Sequence, residues 1–119
     1  MFASDRCSRL NDPWGDGAVS IDFGDEQGAV SSLLESKLRE TIDGVVSFGD
    51  RPALIGAHLA RSLSVLGNEP DAVEIAGNKL LTRVKLCSDG LPSPRFTAVP
   101  LRLSSSIASE WLRFPCVVK

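Results

Sequence analysis

The feature that most constrains the fold is a double change of hydrophobic period between residues 27 and 66. Across residues 27–41, apolar side chains fall at Val30, Leu33, Leu34 and Leu38, with Ile42 just beyond. That is helical spacing with one stripe to bury. Asp43-Gly44 ends the pattern, and the compact run Val45-Val46-Ser47-Phe48 follows, suited to a buried parallel strand. Gly49-Asp50-Arg51-Pro52 then turns into a second helix reaching about residue 66. Proline is well placed in its first turn, where a missing N–H is no loss, and Gly67 is the expected C-terminal cap. Helix, strand, short loop and helix form the grammar of a doubly wound α/β domain.

The flanking segments supply few further strands. Met1-Phe2-Ala3-Ser4 reads as the tail of a strand, and the alternating Ala18-Val19-Ser20-Ile21-Asp22-Phe23 as a short edge strand. Between them, Asn11-Asp12-Pro13-Trp14-Gly15-Asp16-Gly17 is dense in turn formers. Two or three strands are too few for a self-sufficient sheet, so the first strand of the unit is expected upstream of Met1. Beyond Asn68-Glu69-Pro70-Asp71 a helix is expected through Ala76, with a break at Gly77-Asn78. A second helix follows over residues 79–89, with Leu80, Leu81, Val84, Leu86 and Cys87 turned inward, stopped by Gly90. Leu91-Pro92-Ser93-Pro94 must be extended, because each proline disfavours helix in the residue before it. Phe96-Thr97-Ala98-Val99 reads as a strand, residues 104–112 as a short helix, and Cys116-Val117-Val118 as a final strand.

Composition excludes several functional classes. An apolar fraction of 43% with 24% charged residues belongs to a globular chain, and 119 residues make about one domain. A formal net charge of −2 argues against a nucleic-acid surface, which would carry a basic excess. No apolar stretch approaches the roughly 20 residues of a membrane span, and the N-terminus lacks a signal-peptide core. A cytoplasmic location is the expectation. Cys7, Cys87 and Cys116 are odd in number and widely spaced, which speaks against a disulfide framework or a zinc site. Cys116, inside an apolar run, is expected to pack as a small hydrophobe.

The residues that point to chemistry lie in one ordered series. Gly77-Asn78-Lys79-Leu80-Leu81-Thr82-Arg83 is followed by Gly90-Leu91-Pro92-Ser93-Pro94-Arg95-Phe96, and then by Phe114-Pro115-Cys116-Val117-Val118-Lys119. This succession resembles the opening of an ATP-grasp ligase. The stretch from Gly67-Asn68-Glu69-Pro70-Asp71-Ala72-Val73 to Lys79 is most similar to the carboxylate–amine ligases, including the L-amino-acid ligases and the group around biotin carboxylase. The resemblance covers most of the chain. It implies an incomplete Rossmann-like pre-ATP-grasp domain over residues 1–70, followed by a linker helix and the start of the ATP-grasp small lobe over residues 71–119.

In that family both lysines contact the phosphates of ATP, so Lys79 and Lys119 are the implied cofactor-binding residues. ATP and Mg²⁺ are the implied cofactors, with a small-molecule carboxylate and an amine as substrates. The enzyme converts the carboxylate to an acyl phosphate, which the amine attacks. Charge placement dominates such phosphoryl transfer, and a lysine on a rigid strand fixes a charge better than one on a loop. A family member also carries a glycine-rich loop after the second lysine, adenine-contacting residues and later acidic and Asn ligands for magnesium. These do not occur in the present chain, so by itself it is expected to be inactive and to bind ATP weakly or not at all.

Other readings stand beside this one. A lysine in the first turn of a helix is ordinarily just solvated. Asp50-Arg51 follow the expected strand at 45–48, where open α/β sheets place ligand contacts, although Asp50 also suits the cap of the following helix. His58 lies mid-helix with no second ligand at metal spacing. A non-enzymatic α/β ligand-binding or interaction module would need acids clustered at strand ends, and Asp22, Asp25 and Asp50 are the visible ones.

Overall fold

The computed structural model describes residues 1–5, 17–36, 42–100 and 114–117. Its described part is a mixed α/β arrangement of two short strands and four helices, in the order β1 (Phe2–Ser4), β2 (Ala18–Ser20), α1 (Glu26–Leu34), α2 (Asp50–Leu63), α3 (Pro70–Gly77) and α4 (Lys79–Ser88). Contacts divide the chain into two compact units, Met1–Gly77 and Asn78–Lys119. The helix expected at the start of the second domain, α3, packs on α2 within the first unit. Among the described residues, no helix is long and apolar enough to cross a membrane.

In the first unit, β1 and β2 pair in parallel with Phe2 opposite Ala18, Ala3 opposite Val19 and Ser4 opposite Ser20. The N–H of Ile21 donates to the Ser4 carbonyl at 3.2 Å, carrying the pairing one residue further. Beyond Ile21 the backbone turns. Asp22 accepts the Gly24 N–H at 2.8 Å, and Asp25 accepts the Gly28 N–H at 2.9 Å as the N-cap of α1. A carboxylate there satisfies an orphan donor and complements the helix dipole. Ile21, Ala29, Leu33, Ile55 and Leu59 form the buried core, with Ala3, Val19, Phe23, Val30, Leu34, Val45 and Leu63 packed around it. The helical stripe read from α1 thus faces inward at Leu33, with Val30 and Leu34 at its margin.

Both ends of α2 differ from expectation. Gly49, not Asp50, is its N-cap, at φ 94° and with no side-chain hydrogen bond. An L-residue avoids that backbone region, so glycine occupies the half-helical position and Asp50 becomes the first helical residue. Its carboxylate remains favourable near the helix N-terminus. The C-terminal cap is not Gly67. Ser64 adopts the left-handed conformation at φ 56°. The N–H of Val65 donates to the Ala60 carbonyl at 3.0 Å, and that of Ser64 to the Arg61 carbonyl at 3.1 Å. This pair of bonds is the Schellman motif. Gly67 serves a different end: a Cβ built there would lie 2.7 Å from the Ala60 Cβ, so glycine lets the returning chain approach α2. Pro70, fully buried, opens α3.

The expected central strand at 45–48 does not form. The segment belongs to no strand, and of its four residues only Val45 is partly buried. Val45 packs on the core and Ser47 lies against Gly56 of α2, whereas Val46 and Phe48 are 79% and 88% exposed. A strand is stabilised by cross-strand pairing and by packing on both faces. Among the described residues, only the α2 side is covered.

In the second unit, Asn78 breaks the backbone between α3 and α4, as its sequence position predicts. Gly90, at φ 69°, receives the end of α4, with Leu91 donating to the Leu86 carbonyl at 2.9 Å and Gly90 to Cys87 at 3.1 Å. The inward stripe expected of this helix is not buried: α4 has no buried residue, and Leu80 and Val84 are 43% and 51% exposed. The strand expected at 96–99 is also not formed, and residues 91–100 belong to no helix or strand. Phe114-Pro115, joined by a cis peptide bond, and Cys116-Val117 are likewise outside any strand and exposed. Cys116 therefore does not pack as an interior hydrophobe. The helix expected at 104–112 lies outside the described residues, as does Val118.

Candidate functional site

Of the two expected phosphate contacts, Lys79 lies among the described residues. Its helix begins there because Asn78, extended at φ −114° and ψ 112°, turns its side chain back over the first turn. The Asn78 Oδ1 accepts the N–H groups of Leu80 at 3.0 Å and Leu81 at 3.2 Å. Its backbone carbonyl receives the Thr82 N–H and the Thr82 hydroxyl, both at 2.9 Å. Two of the orphan donors at this helix terminus are therefore taken by the protein itself. An anion meeting the start of α4 would meet the ammonium of Lys79, which is exposed, rather than the N–H groups of Leu80 and Leu81.

The cationic side chains of α4 differ in what is left to them. Arg83 lies four residues beyond Lys79 and so shares its side of the helix; it is half-buried. Lys85 is held by Asp89 at 2.8 Å. Lys119, the other implied phosphate contact, lies outside the described residues. Leu91-Pro92-Ser93-Pro94 leaves α4 through Gly90 without regular structure, as the two prolines require.

The remaining candidates have structural duties or stand apart. Asp22 and Asp25 accept backbone N–H groups in the turn and cap that follow β2. Asp50 and Arg51 are exposed in the first turn of α2, and His58 is half-buried in its middle. Among the described residues no group of three His, Cys, Asp or Glu side chains is placed to hold a metal ion.

One feature was missed by sequence reasoning. An open cleft of about 560 Å³ lies within the first unit, lined by Val45 and Ser47, by Gly56 and Ala60 of α2, and by Gly67 and Ala72. Its signal was present as small residues at helical spacing, Ala53, Gly56, Ala57 and Ala60 on α2 with Ala72 and Ala76 on α3. Such residues let backbones approach and leave no side chain to fill the gap. Among the described residues, Ser47 and Asn68 are the polar side chains of the lining and no ionisable residue borders it. The cleft can receive an apolar group or a hydrogen-bonding one, and its described lining holds no acid or base. Comparison with protein-family models, with curated proteins and with solved structures finds no match to this chain.

Proposed function

We propose that this chain is the leading portion of an ATP-dependent carboxylate–amine ligase of the ATP-grasp type, carrying its first phosphate-contacting lysines. The observation that carries the reading is the ordered series Asn78-Lys79, Gly90-Leu91-Pro92-Ser93-Pro94 and Phe114-Pro115-Cys116-Val117-Val118-Lys119. The exposed Lys79, at the head of a helix whose start Asn78 fixes, supports it. On this reading residues 1–70 belong to a Rossmann-like pre-ATP-grasp domain and residues 71–119 to the linker and the start of the ATP-grasp lobe. Lys79 and Lys119 neutralise the phosphates of Mg-ATP, while the ligands of the metal and the residues that choose the acid and the amine lie in sequence beyond these 119. The enzyme works in the cytoplasm.

The coding sequence around this reading frame tests the proposal. A frame that continues past Lys119 into a glycine-rich loop and acidic metal ligands supports it; a stop codon directly after Lys119 overturns it. In the protein so extended, Lys79→Ala should raise the KM for ATP roughly 10- to 100-fold, the loss of about 1.5–3 kcal/mol of charge-assisted hydrogen bonding. An unchanged KM removes Lys79 from the nucleotide site.

A second reading, an α/β interaction module, is favoured by one observation. Val46, Phe48 and Leu66 of the first unit are 79%, 88% and 97% exposed, and large apolar side chains left in water are the material of surfaces that a partner covers. Size-exclusion chromatography separates the two: a soluble monomer favours the complete module, and aggregates favour the ligase fragment.

A further inference from the structure

We draw no further inference here: the strongest candidate, the open cleft that Val45, Ser47, Gly56, Ala60, Gly67 and Ala72 line beside α2, is a face of small and apolar side chains, and nothing in the structure shows what covers it.

Discussion

Helices α2 and α4 carry similar sequence signals and meet different fates. Each has apolar residues at helical spacing, a marked N-terminus and a Schellman ending. Yet α2 buries Ile55, Ala57, Leu59 and Ala60, whereas none of the ten residues of α4 is fully buried. The difference lies outside the helices. α2 has α1 on one side and α3 on another, so its apolar stripe leaves water. Among the described residues, the contacts that hold α4 are the caps at Asn78 and Gly90 and its own backbone bonds, and short helices with little packing are marginal in water even with good caps. Amphipathic spacing specifies which face is available for burial. Whether that face is buried depends on a partner.

Truncating a leucine in each helix breaks the comparison most sharply. Leu59→Ala removes a side chain that is 5% exposed and should destabilise the first unit by about 2–5 kcal/mol, read as a lower urea midpoint. Leu80→Ala, at a 43% exposed position, should change that midpoint by no more than the roughly 0.5 kcal/mol of an ordinary surface substitution. Equal losses at the two sites would show that α4 is buried after all.

The contact between Gly67 and α2 ranks next. Gly67→Ala should destabilise the first unit by about 1–3 kcal/mol, because the new methyl group crowds Ala60. Ala60→Gly in the same chain should recover part of that loss, since it removes the opposing Cβ. A Gly67→Ala variant as stable as the parent would mean that the segment after α2 stands further off.

The two helix endings make a finer comparison. Both place one residue in the left-handed region, Ser64 after α2 and Gly90 after α4. Serine resists that conformation and glycine does not. Ser64→Gly should therefore stabilise by up to about 1 kcal/mol, and Gly90→Ala should lower helix content with a loss of about 1 kcal/mol. Thermal melts followed by circular dichroism would read both. Matching signs for the two substitutions would contradict the assigned endings.

The smallest effect is expected at Lys85 and Asp89. The pair is close but exposed on both sides, and lysine ahead of aspartate is the weaker order along a helix. Lys85→Ala should cost no more than about 0.5 kcal/mol, and less in high salt.

Much of the local structure was legible. Val30, Leu33 and Leu34 marked the face of α1, Pro52 fell in the first turn of α2, and Asn78 and Gly90 bounded α4, because each acts through its own backbone or its neighbours three and four residues away. Of the candidate site, the position of one residue was legible: Lys79 stands at an exposed helix start, as the sequence placed it. Its surroundings were not. That Asn78 would take the N–H groups of Leu80 and Leu81 depends on one side-chain orientation, and the cleft beside α2 depends on two helices and a loop converging.

What the sequence determined by itself was that helices and strands mix and where α4 starts and stops, since capping, glycine freedom and hydrophobic period are short-range effects. Tertiary structure decided the rest. Val45-Val46-Ser47-Phe48 and Phe96-Thr97-Ala98-Val99 have strand-like sequences and form no strand, because a strand's hydrogen bonds must come from another segment. Gly67 reads as a cap and acts as a spacer because Ala60 lies opposite. Leu80 and Val84 read as core and face water because burial requires a second surface, and no repeat of apolar residues along one helix can supply it.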